Sequence, residues 1–297
     1  MSKASRISAN KSEIENYFDA LPQKIFNSPE LLRIFTDNKE AWELPVSIGF
    51  EKFVEFLLTN SRLKKVELHS ERYQNIFRYS WGEPSIYALA LSIKSNSFLT
   101  HGSAAFLHGL AEENPNNIYV NYEQSPKPQY GSSLAQDGIH RAFAKQQRQT
   151  NLIYAFDGKS IIVINGKNTG RSGLCGFTED DGSNPLAVTD LERTLIDITV
   201  RPSYAGNNTL AVLEAYKRAK DKLDIKTLLK MLEKFDYIYP YHQAIGFFME
   251  RAGYPKKSWS KLLGLGTNFD FYVAHQLPEE ERLFDDKWRV FYPQELK

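Results

Sequence analysis

The chain has a single cysteine, Cys175, among its 297 residues. That excludes an intramolecular disulfide and a zinc centre built on cysteine thiolates. There is also no surplus of charge: 37 Lys+Arg against 36 Asp+Glu leave a formal net charge of +1. No global field draws the molecule toward nucleic acid or membrane, so any charged site is a local patch. No apolar run approaches the roughly 18 residues a membrane-spanning helix needs. Met1-Ser2-Lys3-Ala4-Ser5-Arg6 is not followed by the apolar stretch of a secretory signal. The expected location is cytoplasmic, with no membrane partner. Internal repeats and low-complexity tracts are absent. What is plentiful is aromatic surface, with 19 Phe, 16 Tyr and 4 Trp, enough for a large core. A hydrophobic share of 42% and a charged share of 25% are ordinary for a globular protein, and the length permits one large domain or two smaller ones.

The first ten residues are polar and are expected to fray. Ile14, Tyr17, Phe18 and Leu21 then recur at helical spacing, and Pro22 ends that helix. A second helix follows Asn27-Ser28-Pro29-Glu30, where Ser28 can cap and Pro29 suits the first turn. A third is predicted from about Ser47 to Asn60, carrying Phe50, Phe53, Val54, Leu57 and Leu58. The period then changes. Leu63, Val66 and Leu68, followed by Ile76, Phe77 and Tyr79, form two β-prone runs around a polar turn, His69-Ser70-Glu71-Arg72, which reads as a hairpin. Three helices and a hairpin within residues 1–80 is the order of a winged helix-turn-helix, whose third helix enters the major groove while the hairpin touches phosphate. Other small α+β modules share the pattern. Charge does not separate them, because residues 1–80 hold twelve Lys/Arg and eleven Asp/Glu. The third helix offers Ser47 and Lys52 but also Glu51 and Glu55, which repel phosphate. The better cations surround the hairpin: Arg62, Lys64, Lys65, Arg72 and Arg78. They suit contacts to a DNA backbone, or they protect a sheet edge by charge. The candidate DNA-binding set is therefore Ser47, Lys52, Arg62, Lys64, Lys65, Arg72 and Arg78.

Trp81-Gly82-Glu83-Pro84 marks the expected boundary to a larger mixed α/β domain, residues 81–297. Helices are predicted after Pro84, near Gly102 and from Gly138 to Arg148, with a strand at Ile118-Tyr119-Val120 and an exposed loop at 124–136. A hairpin turns at Asp157-Gly158. The most informative stretch runs from Val188 to Asp197. Thr189 and Glu192 have capping-box spacing, and Arg193 with Asp197 is an i, i+4 charge pair. The bland reading is a well-capped helix carrying Thr189, Glu192, Arg193 and Asp197 as a structural motif. The sharper alternative is a metal-dependent nuclease built on Asp190, Glu192 and Asp197, although no histidine or nucleophile lies nearby in sequence. His101 and His108, seven apart, are too far for one metal ion and read as a cap and a packing residue. Cys175 reads as a small buried residue. The glycines at 166, 170, 173 and 176 match no phosphate-binding loop and read as turns. No catalytic centre, metal or cofactor is expected. Residues 124–172 carry Lys127, Arg141, Lys145, Arg148, Lys159, Lys167 and Arg171 against two aspartates, while residues 270–286 carry six acidic residues against Arg282. The basic segment suits a nucleic acid or an acidic protein face, or the two regions neutralise each other in the fold.

Four stretches resemble the AbiEi family, the antitoxins of abortive-infection toxin–antitoxin operons. Ser103-Ala104-Ala105-Phe106-Leu107-His108-Gly109-Leu110 is similar to the family's Ser-Ala-x-x-x-His-Gly-Leu helix. Arg141 to Lys145, Arg148 and Thr150, with Ile164 to Thr169, resemble its central basic segment. Thr189 to Asp197, with Arg201-Pro202-Ser203-Tyr204-Ala205-Gly206, resemble its most specific block. Lys287-Trp288-Arg289-Val290 with Tyr292-Pro293 resemble its C-terminal end. The resemblance covers residues 84–297 and implies an α+β protein, with an N-terminal winged helix-turn-helix that represses its own operon by binding operator DNA. It further implies a C-terminal antitoxin domain opposing an AbiEii-type nucleotidyltransferase toxin, with Arg141, Lys145, Arg148 and Arg171 as its basic face. The acidic third helix departs from what base-specific DNA reading needs.

Overall fold

The computed structural model describes residues 7–112, 116–126, 134–179, 185–206 and 208–297. Lys127 and the rest of the expected loop at 127–133 lie outside the described residues. Helix α1 (Lys11–Ala20) buries Ile14 and Phe18 on one face. Packing starts earlier than the polar composition suggested. Ile7 is buried, and the Asn10 side chain donates to the Trp42 carbonyl. A two-residue strand β1 (Ile25–Phe26) comes next, too short to leave a periodic signal. Asn27 caps α2 (Ser28–Asn38): it accepts from the Glu30 N–H while Glu30 accepts from the Asn27 N–H. The capping box satisfies two orphan donors at once. Helix α3 (Phe50–Asn60) begins behind an N-cap at Gly49, so Ser47 sits in an exposed turn before it.

Strands β2 (Leu63–Leu68) and β3 (Ile76–Trp81) pair antiparallel from Leu63↔Trp81 to Leu68↔Ile76. Strand β1 lies on the other side of β3, giving the sheet order β1-β3-β2. Beneath the sheet, Phe18 stacks on Trp81 and Trp42 stacks on Phe53. Offset stacking of this kind adds to the area these rings bury.

The larger portion is built on a six-stranded mixed sheet. Its elements are α4 (Ile86–Leu91), β4 (Phe98–Leu99), α5 (His101–Leu107), β5 (Asn117–Glu123), α6 (Gln136–Phe143), β6 (Ile153–Phe156), β7 (Lys159–Gly166), β8 (Leu174–Phe177) and β9 (Leu186–Thr189). The strand order is β6-β7-β5-β4-β9-β8, with β5/β7 and β4/β9 parallel and the other neighbours antiparallel. The β6–β7 turn places Asp157 and Gly158 in left-handed backbone, as a two-residue hairpin with right-twisted strands requires. Helix α6 stops at Phe143, short of the predicted Arg148. Then follow α7 (Leu191–Val200), α8 (Thr209–Ala219), α9 (Ile225–Phe235), α10 (Tyr241–Arg251) and α11 (Lys256–Leu263). A small sheet β10 (Phe271–Tyr272), β11 (Arg282–Asp285) and β12 (Val290–Pro293) closes the chain in the order β10-β12-β11. Helix α10 is buried nearly all round. Its Gln243 amide donates to the Trp288 and Phe269 carbonyls, and the Trp288 indole lies flat against Gly246.

The chain is thus α+β, with an N-terminal helical region followed by a larger α/β portion. The two parts touch. Ile25, Val66 and Leu68 pack with α4 and the central sheet. At the hairpin tip, His69 and Ala155 exchange both backbone hydrogen bonds, at 3.0 and 2.7 Å, and the Ser70 hydroxyl donates to the Ile153 carbonyl. The tip of the β2–β3 hairpin is therefore tied to the β6 edge of the large sheet. Among the described residues no helix is long and apolar enough to cross a membrane.

A methyl group at position 246 has no room against the Trp288 ring. Gly246→Ala is expected to destabilise the chain by about 1–3 kcal/mol through overpacking. The denaturant midpoint measures this, and an unchanged midpoint would mean that Trp288 is free to move aside.

Candidate functional site

Helix α7 starts behind Asp190, whose side chain accepts from the Arg193 N–H. The cap is therefore Asp190 rather than Thr189. Thr189 instead bonds Thr194 through its hydroxyl, and Glu192 reaches across to accept the Asp224 N–H at the start of α9. One turn into the helix, Arg193 and Asp197 form the expected pair, at 2.8 Å, with side chains 4% and 8% exposed. The pair is a junction. Arg193 Nη1 donates to the Thr169 hydroxyl and the Ser172 carbonyl on the β7–β8 loop. Its guanidinium lies over the Phe98 ring at 5.7 Å and the Phe235 ring at 4.6 Å. Asp197 accepts from the Thr100 hydroxyl at 2.9 Å, and Thr100 meets His101 Nδ1 at 3.0 Å. Burial pulls the Arg193 guanidinium down, but Asp197, Tyr237 and Glu123 oppose this, and the balance is upward. Arg193 thus stays charged.

His101 opens α5 in left-handed backbone, with φ of 49°. Such a conformation is strained for a residue other than glycine and asparagine. Because Thr100 gives its proton to Asp197, it accepts from His101 Nδ1–H. Burial, with Arg201 and Arg193 nearby, lowers the His101 pKa to about 4 against the pull of Asp197. The imidazole is therefore neutral, with Nε2 left as a bare acceptor.

This network forms the floor of a cavity of about 260 Å³. Asn121, Lys167, Arg201 and the run Tyr237-Ile238-Tyr239 with Tyr241 complete its walls. Lys167 is held by the Asp236 carbonyl and lies over the Tyr237 ring, and Arg201 donates to the Arg148 carbonyl. Burial pushes the Tyr237 phenol up, so its hydroxyl stays protonated. The same three tyrosines border a second cavity of about 510 Å³ beside α9 and α10. No protein-family model matches the chain, and no curated protein matches it either. Its fold is similar to that of the RV2827C protein from Mycobacterium tuberculosis, known from a crystal structure. The TM-score is 0.57 at 12% identity, over 95% of this chain and 91% of that one. At that identity the likeness concerns the fold alone.

The remaining residues named from the sequence fall in several places. Lys52 is exposed on α3 beside Glu51 and Glu55. Arg62 pairs with Asp19 and lies over Trp81, Lys64 pairs with Glu83, and Lys65 lies over Phe77. Arg72 is exposed in the hairpin turn. Arg78 turns inward to the Ser92 hydroxyl and carbonyl. Arg141, Lys145 and Arg148 are exposed and meet no carboxylate among the described residues. Arg171 sits apart on the β7–β8 loop, held by Asn96 and Glu123. The acidic segment does pack on α6, but through Gln136–Asp270, His140–Tyr272 and His275–Lys145 hydrogen bonds. Asp190, Glu192 and Asp197 each serve a different partner, and among the described residues no three His, Cys, Asp or Glu side chains are grouped to hold a metal. His108 bonds the Thr189 carbonyl. Cys175 is exposed, not buried as expected, on the edge strand β8, no residue of which is fully buried. The cavity's tyrosines escaped the sequence reading, and His101 was read with His108 only as a cap or packing residue. The Tyr-Ile-Tyr-Pro-Tyr run at 237–241 was the signal available.

Two outcomes follow. Arg193→Met and Asp197→Asn each leave a buried charge without its partner, which costs about 3–5 kcal/mol. In denaturant unfolding the double variant should lose much less than the sum of the two, and strict additivity would contradict the coupling. The His101 pKa lies below its unfolded value, so the unfolded chain binds the proton first. Stability is full above about pH 6.5 and falls as pH drops toward 4, by about 3 kcal/mol for this group. His101→Asn, which tolerates the backbone, should flatten that slope. A residual slope remains because burial also lowers His242 and His275.

Proposed function

We propose that the chain is an AbiEi-type antitoxin and not an enzyme, acting in the cytoplasm. Its N-terminal region is read as a winged helix-turn-helix that binds operator DNA and represses the operon. Its larger portion is read as the part that neutralises an AbiEii-type nucleotidyltransferase toxin. The observation that carries the reading is the order of residues 11–81. Helix, strand, helix, helix, strand, strand, with sheet order β1-β3-β2, is the arrangement a winged helix requires. The most family-like block, Glu192 to Asp197, is also the junction on which the larger portion is assembled.

The DNA face in this reading consists of Lys52, Arg62, Lys64, Lys65 and Arg72. The Arg62 and Lys64 partners are surface carboxylates, and such pairs are weak enough for phosphate to compete. Arg78 contributes from inside, by fixing β3 to α4. Arg141, Lys145 and Arg148 offer the neutralising face, with Arg171 as a separate contact. A second reading, an antitoxin module without specific DNA binding, draws support from the tied hairpin tip and from Glu51 and Glu55 on α3.

A gel shift on the promoter upstream of the operon separates the two. Specific binding should weaken on Lys64→Glu/Lys65→Glu, with the salt slope falling by about 2, and Arg78→Ala should leave the slope alone. Binding no tighter than to random DNA selects the second reading. Co-expression with the adjacent toxin gene should restore growth. Restored growth should be lost when Arg141, Lys145, Arg148 and Arg171 are all replaced by Gln in a chain that stays folded. Failure of the unaltered chain to rescue would overturn the antitoxin reading.

A further inference from the structure

Three side chains more than nine-tenths buried face the 260 Å³ cavity with a nitrogen that has no partner among the described residues. Arg193 uses Nε and Nη1 on Asp197, Thr169 and Ser172, and its Nη2 bonds none of them. Asn121 uses Oδ1 on the Gly166 N–H, leaving its amide nitrogen. His101 uses Nδ1 on Thr100, leaving Nε2. Among the described residues none of these three nitrogens is an enclosed atom left without a partner, so they open onto the cavity and can bond a ligand that enters it. The charges say what kind of ligand. Asp197 is matched by Arg193, which leaves Lys167 and Arg201 without a carboxylate partner among the described residues, two positive charges beside the N–H donors of Arg193 and Asn121, while His101 Nε2 can accept from a hydroxyl of the ligand. A phosphate monoester carries close to two negative charges at neutral pH and three acceptor oxygens. Arg is suited to grip it by paired donors.

The walls say what the rest of the ligand is like. Tyr237, Tyr239 and Tyr241 form a partition shared with the neighbouring 510 Å³ cavity. A flat ring leaving the phosphate would lie along these faces. We propose that this cavity binds the phosphate monoester of a small aromatic molecule, of the mononucleotide class, with the phosphate between Arg201, Lys167 and Arg193 and the ring against the tyrosines. The site is independent of the antitoxin reading, since it uses neither the N-terminal region nor Arg141, Lys145 and Arg148.

Titration calorimetry on the full chain tests it with four probes: inorganic phosphate, AMP, adenosine and a 5′-phosphorylated trinucleotide. AMP should bind, phosphate more weakly, and adenosine not measurably. A trinucleotide binding at least as well as AMP identifies the ligand as a nucleic-acid 5′ end, whereas exclusion of the trinucleotide identifies a free nucleotide. Lys167→Gln and Arg201→Gln, both outside the core, should each weaken AMP about tenfold or more while leaving the unfolding midpoint unchanged. Tyr239→Ala should weaken AMP but not phosphate. Absence of heat with every phosphorylated probe, or AMP binding insensitive to both charge-removing variants, would overturn the proposal.

Discussion

The larger portion of this protein hangs on one buried ion pair. Arg193 and Asp197 are one turn apart on α7, and most of their remaining hydrogen-bonding capacity is taken up by residues from elsewhere in the chain. Thr100 comes from the end of β4, and Thr169 and Ser172 come from the β7–β8 loop. Phe98 and Phe235 cover the guanidinium. Burying two charges is expensive, and their mutual attraction repays it only when the surrounding polar groups are also satisfied. The geometry meets that condition, so sheet, loop and α9 are held in one arrangement. The same arrangement leaves a cavity whose floor is polar and whose rim is positive.

The two parts of the chain are coupled through the sheet edge. Strands β2 and β3 belong to the N-terminal core, yet the hairpin tip continues into β6 through His69 and Ala155. An edge strand seeks a partner, and here each edge supplies the other. A hairpin anchored in this way presents its cations on a fixed support rather than on a flexible arm. Its long charged side chains remain accessible while its tip does not move freely.

Much of this was legible in the residues. Periodicity placed α1, α2 and α3 and the β2–β3 hairpin because each carries a strong apolar face. Asp157-Gly158 announced its turn by composition. The i, i+4 spacing of Arg193 and Asp197 announced their pair. What escaped was non-local. Strand β1 is two residues long and is defined only by pairing with β3. Asp190 took the capping role assigned to Thr189, since the helix starts at Leu191, and Glu192 reaches instead to Asp224, a partner 32 residues on. Cys175 looked like a core residue until its strand proved to be the last in the sheet. Arg78 looked like a hairpin cation, yet it points to Ser92. The cavity was invisible because its residues come from segments that the sequence keeps far apart. Its tyrosines looked like ordinary core aromatics.

Hydrogen exchange followed by mass spectrometry, comparing the chain with its Asp197→Asn variant, tests the junction most directly. Amide protection should fall together in residues 98–104, 166–173 and 225–237, segments that meet at the pair, while residues 11–68 keep theirs. Loss of protection confined to α7 would contradict the account, because it would mean that the other segments hold their places without the pair.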